Sequence, residues 1–377
     1  MKLLDCCKSI SDGDWIESED QSSSGIRLIQ TGNIGVTQYL DKQERAKYIS
    51  AETFNRLKCS PVVGGDVLVS RLPDPIGRAC IVPYDIGPAI TAVDCSIIRV
   101  NTDIVDPKYL VYFTDSDSYK SQIASYSTGT TRKRISRKNL EKISISVPSK
   151  DKQIQIIDNL DKINFLINSL WNCLLLFDDL IRSRFIEMFG LPGTDPKCLG
   201  LESLDNLCII NPKKNADARL EDENLNISFI PMSSVSEDGT ITNVETKTVR
   251  ELKKGFTYFA DNDVLFAKIT PCMENGKGAI ARDLENGIGF GSTEFHVLRP
   301  KDNCNAIWLY TLLSFPEFRT EATNHMTGSA GQRRVPAKYL ASYRTVIPPI
   351  SEQKLFAQFV ENAEKSKFVV KFRSVHR

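Results

Sequence analysis

One uninterrupted stretch constrains the fold of this chain more than any other feature: no glycine or proline occurs between Ser149 and Phe189. Apolar residues recur in it three or four positions apart, the spacing of one face of a helix. These residues are Ile156, Leu160, Ile163, Ile167, Leu170, Leu174, Phe177 and Ile181. Pro148 prevents a helix from entering from upstream, and Gly190 ends it. The pattern predicts a rod of about 40 residues, roughly 60 Å long, which is either buried in a core or a spacer packed against a second helix.

A second segment repeats the start of this helix 200 residues later. Pro348 and Gln353 stand where Pro148 and Gln153 stand, and an apolar stripe follows again. Its members are Phe356, Phe359 and Val360. The stripe breaks down after Glu364, so we expect the second helix to be short. The apolar side chains of the first helix that would then lack partners are Leu174, Phe177 and Ile181.

The segments in front of the two helices also match each other, in the same order and at nearly one offset. Glu294–Arg299 corresponds to Asp94–Arg99 at an offset of 200, and Thr327-Gly328 corresponds to Thr128-Gly129 at an offset of 199. Ordered features that recur at one period indicate a tandem duplication. We therefore predict globular domains at 1–147 and 193–347 and helical segments at 148–192 and 348–377.

Each globular half has the pattern of a mixed α/β (α+β) domain. Strands are predicted at 26–30, 64–71, 78–82, 96–100 and 140–147, and at 227–231 and 261–268 in the second half. Asp106 and Pro107 begin a helix, and 125–138 is a basic loop. The alternating glycines of Gly287–Gly291 are interpreted as a hairpin turn. The middles of the halves, Gln38–Ser60 and Lys213–Leu225, do not resemble each other, as readers of two different targets would require.

Composition excludes several classes of protein. The 377 residues include 48 Lys and Arg and 47 Asp and Glu, so the net charge is +1 and any site for a polyanion must be local. No segment reaches the roughly 20 apolar residues of a membrane span, and the N-terminus lacks the apolar core of a signal peptide. The 10 cysteines, without CxxC spacing, are interpreted as reduced thiols of a cytoplasmic protein and not as a metal site.

Several common catalytic motifs are missing from the sequence. It contains no GxxxxGK[ST] phosphate loop, no Asp/Asn-Pro-Pro-Tyr/Phe motif of adenine amino-methylation, and no GxSxG or HExxH. The adjacent carboxylates Asp178 and Asp179 lie on the long helix, where a solvated face is the ordinary explanation. The sequence therefore predicts a binding protein with no catalytic residue and no metal or cofactor of its own.

A polar, basic loop occurs once in each half and is the best candidate for a functional site, although a solvated loop without function is the alternative. Small residues let backbone N–H groups approach a phosphate, and arginine and lysine add charge-assisted hydrogen bonds. The candidates in the first half are Thr128, Gly129, Thr130, Arg132, Lys133, Arg134 and Lys138. Those in the second are Thr327, Gly328, Gln332, Arg333, Arg334 and Lys338. Arg71 and Lys268 are weaker candidates of the same kind.

These features resemble the specificity subunits of Type I restriction–modification systems. The resemblance covers nearly the whole chain and rests on the duplicated order of Gly65–Leu68, the two Thr-Gly loops, Pro348–Gln353 and Ser183–Gly190. It implies two tandem target-recognition domains with pseudo-two-fold symmetry, separated by two long antiparallel helices. Each domain would read one half of a bipartite site in double-stranded DNA, and the helices would set the distance between the halves.

The resemblance also implies partners for the chain. Two modification (methyltransferase) subunits, which bind S-adenosylmethionine, would dock on it, and restriction (endonuclease/ATPase) subunits, which use ATP and Mg, would join them. Cofactors are therefore expected only on the partners. Two alternatives stay open: a truncated or silent specificity variant that acts only as an interaction scaffold, and a single-chain restriction–methylation enzyme, against which the missing methylation motif counts.

Overall fold

The chain divides into two compact units, which are described separately. The computed structural model describes residues 1–129, 132–196, 198, 200–214, 217–329 and 331–375, with side chains up to residue 367 in the last range. Unit 1 is Met1–Ile167 and unit 2 is Asn168–Arg377. The boundary falls inside the long helix α5, Lys150–Phe189, whose 40 residues confirm the predicted rod.

The described part of unit 1 forms two four-stranded sheets with short helices. The strands are β1 Cys7–Asp12, β2 Gln21–Ser22, β3 Ile26–Ile29, β4 Lys47–Ile49, β5 Val67–Ser70, β6 Ala79–Ile81, β7 Ala89–Thr91 and β8 Cys95–Val100. The helices before α5 are α1 Ala51–Leu57, α2 Pro107–Phe113, α3 Asp117–Tyr126 and α4 Arg137–Leu140. One sheet is antiparallel, in the order β1-β8-β5-β6. The other has the order β2-β4-β3-β7, and β3 pairs with β7 in parallel.

Unit 2 repeats this arrangement in its described residues. The strands are β9 Leu201–Ser203, β10 Cys208–Ile210, β11 Asn226–Ile230, β12 Glu245–Thr248, β13 Thr257–Ala260, β14 Val264–Ala267, β15 Gly278–Ile280, β16 Ile288–Gly291, β17 Phe295–Pro300 and β18 Arg344–Val346. The helices after α5 are α6 Val249–Leu252, α7 Ala306–Ser314, α8 Pro316–Asn324, α9 Ala337–Ser342 and α10 Ile350–Val375. The antiparallel sheet is β10-β17-β14-β15, and the mixed sheet β12-β11-β16-β13 again contains one parallel pair, β11 with β16.

The duplication extends to buried polar side chains in both units. Strands β5 and β14 are buried along their whole length, and each is preceded by a buried aspartate. Asp66 accepts a hydrogen bond from Arg99 at 3.3 Å. Asp263 accepts two from Arg299, at 2.8 and 2.7 Å. The same carboxylate therefore ties two neighbouring strands together in each half, and the predicted α/β (α+β) class with tandem domains is confirmed.

One buried glutamine joins the start of each long helix to the domain in front of it. Gln153 donates to the carbonyl oxygens of Ile104 and Pro148 at 3.0 and 2.9 Å and accepts from the Asp106 N–H at 2.8 Å. Gln353 makes the same three bonds in unit 2, to the carbonyls of 303 and 348 and from the N–H of 305, at 3.0, 2.8 and 2.8 Å. These bonds explain why the sequence repeats a glutamine five residues after the proline.

Two local predictions are wrong. The segment 140–147 is not a strand: Leu140 ends α4, and Ile143 and Ile145 point into the core of unit 1 from an irregular chain. The alternating apolar residues of 140–147 therefore indicate which side chains are buried, and not that the segment pairs as a strand. The glycines of Gly287–Gly291 do not form a hairpin turn, because 288–291 is the buried strand β16. A Cβ at Gly289 would lie 2.1 Å from the Phe259 ring, so glycine is required by close packing.

The expectation of unpartnered residues at the end of α5 is also wrong. Leu174 is buried, and Phe177 and Ile181 are half-buried. In unit 2, α10 runs antiparallel to α5, since Phe356 contacts Phe185 while Lys367 reaches Asp178. The polar position Lys367 is itself buried, so its carbon stem covers apolar surface and its ammonium is paired. The helix α10 continues past Glu364, where the apolar stripe breaks down in the sequence, and extends to Val375.

The apolar stripe of α5 is only partly covered. Phe356 is buried, whereas Phe359, Val360, Ile156, Leu160 and Leu170 are half-buried. Ile163 and Ile167 were predicted to pack but are exposed. Other large apolar side chains on the same helix are exposed as well: Phe165, Leu166, Trp171, Leu175, Leu176 and Leu180. None of the helices in the described ranges is both long enough and apolar enough to cross a membrane.

Candidate nucleic-acid interface

The basic loop of unit 1 is a hairpin whose stem is closed by two backbone hydrogen bonds. Thr128 and Arg134 exchange N–H to carbonyl bonds of 2.9 Å in both directions. Gly129 has φ of 104°, a conformation that glycine adopts without strain. A Cβ there would also lie 2.5 Å from the Arg132 carbonyl oxygen. The Thr-Gly pair is therefore required by the hairpin itself.

The basic loop of unit 2 has the same construction. Thr327 and Arg334 exchange backbone bonds of 3.0 and 2.8 Å, and Gly328 has φ of 124°. The Thr270 N–H adds a bond of 3.0 Å to the Arg333 carbonyl. The two halves therefore present one hairpin each, at corresponding places in the chain.

Each hairpin is attached to the end of a buried strand. In unit 1, Arg71 follows β5, its carbonyl accepts from the Ile135 N–H at 3.3 Å, and its N–H donates to the Asp94 carbonyl at 2.8 Å. In unit 2, Lys268 follows β14 and makes the same two bonds with Val335 and Glu294, at 2.9 Å each. The structure thus places Arg71 and Lys268, the weaker candidates, directly beneath the two hairpins.

A carboxylate binds the arginine of each hairpin stem. The Asp94 carboxylate lies 3.3 Å from the Arg134 guanidinium. Glu294 accepts two hydrogen bonds of 2.9 Å from Arg334, in the bidentate geometry that favours arginine. The hydrogen bonds from Arg334 lower the pKa of Glu294, and burial lowers the pKa of Lys268. Both stem arginines are therefore neutralised by a neighbour.

The remaining candidate residues differ in their exposure. Those exposed to solvent are Thr128, Gly129, Arg132, Lys133, Lys138, Thr327, Gly328, Gln332 and Lys338. Arg333, Arg334 and Lys268 are half-buried, and Arg71 is buried and bound to Asp12 at 3.4 Å. Thr130 lies outside the described residues. Lys338 also borders a shallow depression of about 560 Å³ beside His325 and Tyr339. In the described part of the first hairpin, Arg132 and Lys133 are exposed and form no ion pair. Lys138 and Lys338 are also exposed, but they lie on α4 and α9, just after the hairpins.

Asp94 and Glu294 are site residues that the prediction missed. The offset of 200 aligned them as matching positions, but it does not indicate that they contact the basic loops. Their pairing with the basic loop depends on the strand order, which brings β8 and β17 beside β5 and β14. No group of His, Cys, Asp and Glu in the described ranges is arranged to hold a metal ion.

The family described as the Type I restriction modification DNA specificity domain matches residues 1–170 and 202–368. The chain belongs to this family. Its two matched segments coincide with the duplication, since each contains one hairpin and the start of one long helix. The resemblance that the sequence carried is therefore confirmed.

Individual relatives agree with the family. The specificity chain is 43% identical to the Type I restriction enzyme EcoAI specificity subunit of Escherichia coli over 155 residues, which is 40% of this chain and 26% of that protein. The chain therefore spans about a quarter of the length of that relative. A solved chain from the assembly and conformational transition of the type I R-M system has a TM-score of 0.57 at 15% identity, over 99% of this chain and 92% of its own. The Type-I restriction-modification system S subunit from M. genitalium has a TM-score of 0.52 at 12% identity, over 99% and 93%. These two likenesses show the fold.

Proposed function

We propose that this chain is the DNA-reading, non-catalytic subunit of a Type I restriction–modification complex, and that it reads a two-part site. One observation supports this most: each half of a chain from the specificity family carries the same basic hairpin on the same strand end. Duplex DNA has an approximate two-fold axis, so a duplicated reader matches a site in two halves. Recognition domains at 1–147 and 193–347 and helices at 148–192 and 348–377 are the corresponding functional parts.

The hairpins supply contacts with the DNA backbone. Arg132 and Lys133 in the first hairpin and Gln332 in the second are exposed and bear hydrogen-bond donors. Lys138 on α4 and Lys338 on α9, just after the hairpins, add exposed positive charge. Contacts with phosphates position a protein on a duplex but do not distinguish bases. Base recognition then belongs to the segments in which the halves differ, Gln38–Ser60 and Lys213–Leu225.

The DNA-binding part of the proposal is tested by substituting Lys133 and Lys138 with alanine in the chain assembled with its modification subunit. Affinity for the cognate duplex and for an unrelated duplex should fall together, because phosphate contacts are lost. The slope of log affinity against log salt should become shallower by about one for each contact. Lys162→Ala, an exposed lysine on α5, is the matched control. If the chain with Lys133 and Lys138 replaced bound duplex DNA with unaltered affinity and salt dependence, these lysines would have no role in DNA binding.

The partners proposed are two modification subunits, which carry S-adenosylmethionine, and restriction subunits, which carry ATP and Mg, in the cytoplasm. The exposed apolar side chains of α5 support docking of the modification subunits, since contiguous apolar patches on soluble proteins mark interaction sites. Replacing Trp171 and Leu175 with serine should abolish co-purification with the modification subunit and leave the thermal unfolding of the chain unchanged. Retention of the complex by this variant would place the docking surface elsewhere.

A further inference from the structure

We infer that Asp94 and Glu294 are positioning residues, which hold the two basic hairpins in the shape that contacts DNA. The inference rests on the proposed DNA-binding function of those hairpins. It gives a role to two carboxylates that lie beside DNA-binding loops, where their negative charge would by itself repel the phosphates.

The connection through Glu294 joins three parts of unit 2. Its backbone carbonyl accepts from Lys268 at the end of β14, and its carboxylate binds Arg334 in the hairpin stem with two bonds of 2.9 Å. Arg334 also donates to the Gln332 carbonyl at 3.2 Å, inside the loop. The Glu294 carboxylate therefore adds a side-chain connection between the strand end and the loop to the backbone bonds that Val335 and Arg333 make.

The connection through Asp94 is built in the same way in unit 1. Its backbone carbonyl accepts from Arg71 at the end of β5, and its carboxylate lies 3.3 Å from Arg134 in the stem. Asp and Glu differ by one methylene, yet both halves put a carboxylate at this position. Both copies of the duplication keep this arrangement although the acid differs between them, as a shared requirement of the hairpin would produce.

The charges explain why this arrangement is not itself a phosphate site. A free carboxylate near DNA repels the backbone, so an acidic residue at an anion-binding loop weakens binding unless it does something else. Here its charge is offset by the stem arginine, and the exposed neighbours remain available for the phosphates. The paired side chains are partly exposed, so the ion pairs contribute little to stability and their effect falls on loop geometry.

The test exploits this difference in sign. Glu294→Gln and Asp94→Asn remove a negative charge beside the hairpin. If the carboxylates act only through charge, affinity for duplex DNA rises. If they position the hairpins, affinity falls, by roughly 5- to 30-fold, the ratio that one or two kcal/mol represents. The full chain is measured with its modification subunit on the cognate duplex, over a range of salt concentrations.

Matched variants complete the design. Glu294→Asp and Asp94→Glu exchange the acids of the two halves and should restore most of the affinity. Asp302→Asn and Asp103→Asn remove exposed acids at corresponding places away from the hairpins, and should leave affinity unchanged or slightly higher. The double variant Glu294→Gln with Arg334→Gln should bind no more weakly than either single variant, since both changes break the same pair.

The two hypotheses fail in different ways. If the wild-type assembly binds its duplex and the Gln and Asn variants bind equally well or more tightly, the positioning role is overturned and the proposed function stands. If the wild-type assembly binds no duplex in preference to unrelated DNA, the proposed function falls and takes the inference with it. A large loss of melting temperature in Glu294→Gln would also overturn the inference, because the carboxylate would then be part of the fold.

Discussion

At the scale of single residues, the duplication is most exact where polar groups are buried. Gln153 and Gln353 make the same three hydrogen bonds, and Asp66 and Asp263 hold equivalent arginines. A buried polar group must find partners, and few side chains have the shape to satisfy one set. Such positions therefore resist change while apolar neighbours vary.

Replacing Gln153 or Gln353 by alanine should destabilise the half of the chain that contains it. Three buried hydrogen bonds disappear and backbone groups lose their partners, so we expect the free energy of unfolding to fall by about 2–4 kcal/mol. Gln155→Ala and Gln358→Ala, on exposed positions of the same two helices, should have almost no effect. Urea unfolding of all four variants measures this, and equal stability of Gln353→Ala and Gln358→Ala would contradict it.

His296 should make the stability of the second half depend on pH. Its ring is buried, Nε2 donates to the Val335 carbonyl at 2.7 Å, and Nδ1 accepts from Asn211 at 3.1 Å. Burial lowers the pKa of His296 below its ordinary value of 6.5, with nearby Lys268 acting in the same direction and Glu294 opposing it. When the pH falls below 6.5, the histidine of the unfolded chain therefore binds a proton more readily than that of the folded chain.

Stability of the second half should therefore decrease as pH falls below about 6.5, by at most about 1.4 kcal/mol per pH unit. His296→Gln keeps a hydrogen-bond donor and has no titrating ring, so its unfolding should lose this dependence. The first half has Ser96 at the corresponding position and serves as an internal control. Chemical denaturation at pH 7.5 and 5.5 measures the difference; identical pH profiles for wild type and His296→Gln would exclude the histidine as its source.

At the scale of elements, α5 has two different surfaces along its length. Near its end, Phe185 and Phe189 pack against Trp308 and Phe356 in an aromatic cluster. Earlier in the helix, Phe165 has 71% of its surface exposed and Trp171 has 62%. One helix therefore anchors a core at one place and offers apolar surface to solvent at another.

Two substitutions of the same residue type separate these surfaces. Phe185→Ala removes a fully buried ring and should lower the free energy of unfolding by about 3–5 kcal/mol, from lost burial and the cavity left behind. Phe165→Ala should change it by less than about 0.5 kcal/mol, as surface substitutions do. Thermal unfolding of both variants measures this, and comparable losses would mean that Phe165 is covered in solution.

At the scale of the whole molecule, α5 exposes several large apolar side chains to solvent. A soluble monomer rarely exposes a contiguous apolar patch larger than a few hundred Å². Ile163, Ile167 and Leu180 on α5 are exposed as well. Solubility of this chain should therefore depend on a partner.

We expect the chain expressed alone to self-associate, and the modification subunit to convert it into a defined complex. Sedimentation velocity of the chain with and without that subunit measures this. Replacing Leu175 and Leu176 with serine should reduce self-association, whereas serine at the buried Leu174 should instead unfold the neighbouring core. A monodisperse wild-type monomer at micromolar concentration would show that the exposed apolar side chains of α5 need no partner.

The sequence by itself determined the large-scale plan of this protein. Periodicity over Ser149–Phe189, without glycine or proline, permits one long helix and little else. Ordered matches at one offset required two copies of one domain, and the two Thr-Gly loops lie in two hairpins of the same construction. These features depend on local backbone preference or on repetition, both of which are visible along the chain.

Only the tertiary structure decided which side chains meet. Alternation at 140–147 indicated a strand, but no neighbouring strand was there to pair with it along its length. The polar residues after Glu364 predict a break in the apolar stripe of the second helix. Lys367 is nevertheless buried there, and its ammonium is paired with Asp178. Asp94 and Glu294 lie more than 30 residues from the hairpin arginines in sequence and reach them because the strand order brings them together. Contacts over such separations depend on how strands are ordered in a sheet, which local preference does not encode.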